Sequence, residues 1–446
     1  MFYGQFCENI YTAMGKQWCA PVSAQQYHLG GEVTFTHGLY RLYHFGLRLA
    51  AALLPIRTPH VYAGQQAVSQ WLCEVKKQNL RTLLVVSDPG IVALDLQQPI
   101  IAALHQQGIN TVLYSNVEAN PGIPCIEQGV SCYQQHHCQG IIAIGGGSVM
   151  DCGKLIAARI ARPSKSLQQM QGLFKVLRPL VPLYAVPTTA GTGSEVTVAA
   201  VVSDHQRQIK FAINDLCLVP KGVLLLPELT LGLSPQLSAT TAIDALTHAI
   251  ESYIGINATR FSKAKSVAAT KLILSNLPLV YQQPNHIDAR MHMLWAAFYA
   301  GQAFTRTSVG YVHAIAHQLG ALYGIGHGLA NALLLAPVLN AYGQRIDAQL
   351  TALAQQTLAA NSDAQDMRAA IATLLHDCAI PSTIAQLRQE DITTIAKRAI
   401  AEAHPDYPVP CFFNQHDIET ILYSLLPQQQ HSKQTNEQQS LAGQYR

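Results

Sequence analysis

Five ionisable residues set in otherwise apolar stretches are the first candidates for chemistry. In "AIDALTHAIESY", Asp244 and His248 stand four apart, so on a helix they share one face. In "GYVHAIAHQLGALYGIGHG", His313 and His317 are spaced the same way, and His327 follows ten residues after His317. A single histidine on an apolar face is ordinarily a hydrogen-bonded core residue. One carboxylate and four histidines on helices this poor in charge are more than packing requires. Oxygen and imidazole ligands without cysteine suit Fe2+ or Zn2+, with a coordination position left open for a substrate.

Two polar turns form a second group. In "GIIAIGGGSVMDCGKLIAARIA" a strand, a glycine turn and a helix follow one another, with Gly145, Gly146 and Gly147 allowing close approach of backbone to a ligand. The amides of the helix opening near Ser148 favour an anion, so the turn reads as a pyrophosphate cradle. It lacks the dinucleotide fingerprint, because Met150 stands where the last glycine belongs, and a purely structural turn is the plain alternative. "VPTTAGTGSEVT" follows the next strand and offers the hydroxyls of Thr188, Thr189, Thr192 and Ser194. Loops of this kind at the ends of neighbouring strands belong in a crevice at the carboxyl edge of an open sheet. Asp88, just after "TLLVVS", is placed to accept from a ribose hydroxyl, although "SDPG" is also good turn chemistry.

The elements that must position these residues are legible around them. At about 150 residues per domain, 446 residues make two or three domains. Short apolar runs at 82–87, 111–114, 140–144, 182–187, 196–202 and 222–226 alternate with helical stretches, as parallel strands buried on both faces do. From Ser238 the period becomes helical. The prediction is an α/β chain: an N-terminal Rossmann-like parallel-sheet domain over 57–235, then an all-helical C-terminal domain over 236–427 that carries the metal site. Residues 1–56 read as a weakly ordered extension ending in an amphipathic helix, and 428–446 as a polar tail. That helix places Leu39, Leu42, Tyr43, Leu47, Ala50 and Leu54 near one face, with Arg41, His44 and Arg48 off it. The apolar face is expected to pack on this protein or a sister subunit, a membrane surface being the alternative.

Composition excludes several classes. Charged residues are 12% and the net charge is +3, which gives no basic field for nucleic acid. No run reaches the ~18 apolar residues of a membrane span. "MFYGQFCENI" lacks the order of a signal peptide, so a cytoplasmic location is expected. Ten cysteines without a CxxC pair read as reduced thiols. A zinc site at Cys125, Cys132, His136, His137 and Cys138 fits no finger spacing.

Four motifs, "GGGSVMDCGK", "PTTAGTGSEVT", "DALTHAIESY" and "VHAIAHQLGALYGIGHGLANALLL", resemble in order and spacing the iron-containing (group III) alcohol dehydrogenase family, over residues 57–427. The resemblance implies a dehydroquinate-synthase-like pair of domains, a homodimer, and NAD-dependent interconversion of a primary alcohol and its aldehyde. It implies a divalent ion, Fe2+ or Zn2+, on Asp244, His248, His313 and His327, with His317 beside the nicotinamide as the catalytic histidine. To the dinucleotide it assigns Asp88, Asn120, Gly146, Gly147, Ser148, Asp151, Thr188, Thr189, Thr192 and Lys210. Departures from the family pattern are Gln318 and Gly326, each in place of Pro, Leu226 in place of Asp, and Ala242 in place of Gly. Rival readings are a lyase on the same fold, disfavoured by the few Lys and Arg in 240–330, and a non-catalytic binding protein. Phe298, Phe304, Tyr311 and Tyr323 are expected to line an apolar substrate pocket.

Overall fold

The structure, a computed structural model, describes residues 30–53, 55–207 and 209–427. The extension before residue 30, the tail from 428, and the side chains of Ala50 and Leu54 lie outside the described residues. The strands are β1 (His60–Ala63), β2 (Thr82–Val86), β3 (Asn110–Tyr114), β4 (Gly140–Gly145), β5 (Gly172–Leu173), β6 (Leu183–Pro187), β7 (Ala199–Asp204), β8 (Ile209–Asn214) and β9 (Gly222–Leu225). Helix α1 (Gly30–Leu53) precedes them. Among them run α2 (Ala67–Lys77), α3 (Pro89–Ala93), α4 (Gln98–Gln106), α5 (Ile123–Gln135) and α6 (Gly147–Ala161). After them come α7 (Pro235–Ile254), α8 (Arg260–Gln282), α9 (Ile287–Thr307), α10 (Tyr311–Tyr323), α11 (His327–Tyr342), α12 (Asp347–Thr357), α13 (Ala364–Asp377), α14 (Ile392–Ala403) and α15 (Gln415–Ser424).

Six strands form one parallel sheet in the order β1-β9-β6-β4-β2-β3. Its central strands are apolar throughout because both faces are covered. Ile141 and Ala143 of β4 enter one core with Leu84 and Val86 of β2, while Ile142 and Ile144 enter the other with Leu83 and Val85. Each of the Leu, Ile and Val side chains contributes about 1.5–3 kcal/mol by leaving water. Since β4 lies between β2 and β6, the turns after these three strands meet at one sheet edge. That edge carries Asp88, the glycine turn and the threonine turn.

One expected strand is built differently. "VTVAAVV" opens as a 3-10 turn (Ser194–Val196), and β7 pairs antiparallel with β8 outside the main sheet. Val201 is exposed and Val202 buried, the alternation of a strand with one wet face. β1, β5 and β8 were not among the expected runs: they are short or alternate with polar residues.

Helix α7 starts at a capped turn, with Ser234 accepting from the Leu237 amide and Pro235 at its first position. It packs against α8, α9 and α11, which explains why nearly every residue from Ser238 to Ile254 is buried. Among the described residues no helix is long and apolar enough to cross a membrane.

Helix α1 departs in part from the expected orientation: Tyr43 and Leu47 of the expected face are half-buried, while Leu39 and Leu42 point away from this chain. Leu39, Leu42, Phe45 and Leu49 are 41%, 67%, 63% and 54% exposed, whereas His44 is fully buried. The polar and aromatic face packs against the segment 404–412, where Arg41 donates to the carbonyls of Val409 and Pro410. Backbone carbonyls need donors, and that requirement outweighs the apolar stripe.

Candidate metal centre and the crevice beside it

Three helices deliver the candidate ligands. α7 carries Asp244 and His248, α10 carries His313 and His317, and α11 opens at His327. Ligand atoms of Asp244, His248, His313 and His327 all lie within 4.8 Å of one another. Asp244 Oδ1 is 3.8 Å from His313 Nε2 and 3.4 Å from His327 Nε2. His313 Nε2 and His248 Nδ1 are buried without a hydrogen-bond partner. An unpaired buried nitrogen such as His313 Nε2 beside the Asp244 carboxylate is costly unless a cation completes it, so the donor set fits a divalent ion.

Electrostatics favour the ligand forms. Burial pushes the His248 imidazole down to about 3. Burial likewise lowers His313 and His327, keeping their lone pairs free. Burial alone would raise Asp244, but the imidazoles of His248, His327 and His313 outweigh it and hold the carboxyl below its ordinary value. Asn331 donates to Asp244 Oδ1 at 2.6 Å.

Behind the ligands stands Glu251, buried on α7. It accepts from the amides of Gly310 and Val312 at 2.8 Å each and pairs with His313 Nδ1 at 2.6 Å. A proton on Nδ1 leaves Nε2 as the lone-pair nitrogen facing Asp244, the usual carboxylate–histidine–metal arrangement. Burial pushes Glu251 up to about 7 against the pull of those amides. Gly310 permits this approach: a Cβ there would sit 2.7 Å from Glu251 Oε1. Glu251 was missed, although its place one turn after His248 was a readable signal.

His317 has its own orienting carboxylate. Nδ1 lies 2.6 Å from Glu402 Oε1 on α14, which also accepts from Tyr407 Oη at 2.8 Å, while Gln318 donates to Oε2 at 2.7 Å. The ring stacks on His327, centroids 5.2 Å apart, and remains partly exposed. The glutamine found in place of proline therefore has a function in this chain: it holds Glu402. Nothing near Glu402 in the sequence marks it.

The structure also places the cofactor candidates. Gly146 caps α6, Gly147 opens it, and Ser148 Oγ accepts from the Asn120 amide. Lys210 donates to Asn120 Oδ1 at 2.9 Å, joining β8 to the same turn. The Thr188 amide donates to Gly145 O, and Thr192 Oγ1 accepts from Ser194 N. Thr189 sits across from Gly146, where a Cβ would meet its hydroxyl at 3.5 Å. Asp88 caps α3 through Oδ1, which accepts from the Ile91 amide at 3.0 Å. Asp151 turns inward, accepting from Ser194 Oγ at 2.6 Å and from Val201 N at 3.0 Å. Beside it the fully buried Lys154 donates to Ser194, Thr197 and the Ala199 carbonyl, tying α6 to the threonine turn.

Of the aromatic residues expected in a pocket, Phe304 alone stacks on a ligand, His248, at 4.2 Å. Tyr311 is buried, its hydroxyl bonded to His404 and to the Phe413 amide. Tyr323 bonds Asp391, and Phe298 is buried beside Trp295. Cys125 and Cys138 are core residues.

Comparison with known proteins agrees with this geometry. Residues 58–227 match the family described as iron-containing alcohol dehydrogenase, and residues 238–426 match its C-terminal domain. Alcohol dehydrogenase 4 of Schizosaccharomyces pombe is 35% identical over 326 residues, 73% of this chain and 77% of that one. The NAD-dependent methanol dehydrogenase of Bacillus methanolicus is 31% identical over 353 residues, 77% of this chain and 92% of that one. A crystal structure of a 1,3-propanediol oxidoreductase superposes with a TM-score of 0.79 at 30% identity, covering 84% of this chain and all of the other. With its sheet domain, its helical domain and its Asp/His cluster all in place, the chain belongs to the iron-containing alcohol dehydrogenase family.

Proposed function

We propose that this enzyme interconverts a primary alcohol and its aldehyde with NAD as the hydride acceptor, using Fe2+ or Zn2+ held by Asp244, His248, His313 and His327. The observation that carries the reading is the cluster itself: four ligand atoms within 4.8 Å of one another, with His317 stacked on His327. When bound, the ion supplies Lewis-acid polarisation of an oxygen, and the dinucleotide supplies the hydride acceptor. This chain's residues do the rest. Glu402 fixes Nδ1 of His317, so Nε2 is the nitrogen left to take the alcohol proton or return it. Gly146, Gly147, Ser148, Asn120 and Lys210 hold the phosphates, and Thr188, Thr189 and Thr192 hold the remainder of the dinucleotide. The Asp88 oxygen not used in capping accepts from the ribose 2′-hydroxyl and would repel a 2′-phosphate, which favours NAD over NADP. The name of the Bacillus methanolicus relative agrees with that choice.

The test is chelation, add-back of Fe2+ or Zn2+, and steady-state rates across alcohols and aldehydes with NAD and NADP. Turnover is expected only with the ion, and with NAD preferred. Full activity in metal-free protein, or equal kcat/KM with both dinucleotides, would overturn the corresponding half of the reading.

A further inference from the structure

Helix α1 lies before the matched region, which begins at residue 58, yet its inward face reaches the surroundings of His317. The two guanidinium nitrogens of Arg41 donate to Val409 O at 2.7 Å and Pro410 O at 2.8 Å, and the group lies 4.3 Å over the Phe412 ring. His37 stacks on the same ring at 4.3 Å. His44 Nε2 meets Pro405 O at 2.5 Å, and Tyr43 Oη donates to Asp406 Oδ1 at 3.2 Å. Every one of these contacts falls on the segment 405–412.

That segment makes few bonds of its own: the Tyr407 amide donates to Ala403 O and the Val409 amide to Tyr407 O, at 2.8 Å each. Pro405, Pro408 and Pro410 lack amide donors, so the segment has fewer donors than carbonyls and takes the balance from outside, Pro408 O from the Ile256 amide and Val409 O and Pro410 O from Arg41. A planar guanidinium bonded to two nearby carbonyls, with an aromatic face beneath it, is a rigid way to supply them. The other side of the segment looks into the site. Tyr407 Oη bonds Glu402 Oε1, the oxygen that faces His317 Nδ1. His404 Nε2 and the Phe413 amide both bond the hydroxyl of Tyr311, which opens α10, the helix of His313 and His317. The segment is thus held between α1 and the catalytic helix. With Leu39, Leu42, Phe45 and Leu49 exposed, these directed bonds and ring contacts are the main attachment of α1 to this chain.

We propose that α1 is an intramolecular clamp on residues 404–413 that sets Tyr407 and Glu402, and through them His317, with Arg41 as its main positioning residue. The link to turnover rests on the role given to His317 above. The test uses the full-length, metal-loaded protein with Arg41→Met, Arg41→Lys, Glu402→Gln and, as a control on the outer face, Leu42→Ser. Amide exchange over 404–413, metal content, kcat and the KM for NAD are measured. Arg41→Met is expected to speed exchange in that segment and lower kcat about tenfold, as a small displacement of a reacting group does, with metal content and KM for NAD unchanged. Arg41→Lys should recover part of the loss, and Leu42→Ser should match the unmutated protein. Unchanged exchange in Arg41→Met overturns the clamp, and so does a fall in kcat that tracks loss of metal. Faster exchange with unchanged kcat overturns its link to His317. An unchanged kcat in Glu402→Gln would place the fault in the role of His317 and not in the clamp.

Discussion

The metal cluster and the crevice beside it are built from different materials. Asp244, His248 and His313 are buried side chains on long helices, braced by Glu251 and Asn331. The crevice is made of turn backbone and hydroxyls at the ends of β2, β4 and β6, braced from below by Lys154 and Asp151. A site made of side chains can be emptied by one substitution. A cradle of amides cannot, since no substitution removes an amide short of proline. The two sites are therefore vulnerable in different places: the cluster in its ligands, the crevice in the supports that set its loops.

The largest expected effect tests that contrast directly. Asp244→Ala removes the one anion that balances a divalent charge among three imidazoles. It should abolish metal retention and lower kcat/KM by at least about 10³-fold, equivalent to roughly 4 kcal/mol. Dinucleotide binding, measured by fluorescence titration with NADH, should persist. If NADH binding were lost as well, the two sites would not be separable in the way drawn above.

Next comes the support behind the cluster. Glu251→Gln keeps the shape and the buried volume but removes the charge facing His313 Nδ1. Metal affinity, read by competition with a chromogenic chelator, should fall about 10–100-fold. An unchanged affinity would reduce Glu251 to a helix-packing residue.

The smallest effect is a dependence on pH. His248 titrates near 6.5 when unfolded, and burial takes it to about 3 in the folded chain. Between those values the unfolded state holds a proton that the folded state does not. The stability from the neutral imidazole is therefore fully present above pH 6.5 and is lost as pH falls below it. The loss is about 1.4 kcal/mol per pH unit for one such group. Urea unfolding of metal-free protein between pH 7 and 5 should show this slope, and His248→Gln should reduce it. The amides and hydroxyls of the crevice do not titrate there, so a flat stability profile would contradict the burial of His248 in its neutral form.

How much of this was legible depended on whether a feature was local. Asp244 with His248, and His313 with His317, declare themselves because four residues make one helical turn, and the glycine and threonine turns do so because their chemistry is contiguous. Glu402 is 85 residues from His317 and meets it only through the packing of α14 on α10, so no spacing reveals it. Asp151 sits in the glycine-turn motif yet bonds Ser194 and Val201, a direction that only the tertiary fold sets. The face that α1 turns to its own chain was only partly legible for a related reason. An apolar stripe marks the buried side when the surface to be covered is apolar, and here it is a proline-rich run of carbonyls.

The sheet order has a consequence for synthesis. Among the described residues β1 is the first strand to leave the ribosome, but its one neighbour, β9, is the last: His60 pairs with Gly222, and Arg57 reaches the Val219 carbonyl across 162 residues. Until that distant strand emerges, the edge of β9's partner β6 is also unclosed, because β9 joins both. The nascent chain thus carries β1 unpaired through most of the translation of this domain, and β6 joins it with one open edge only between the synthesis of Pro187 and that of Gly222. At roughly 5–20 residues per second that interval lasts on the order of ten seconds or more, during which a holding chaperone would find its target at β1.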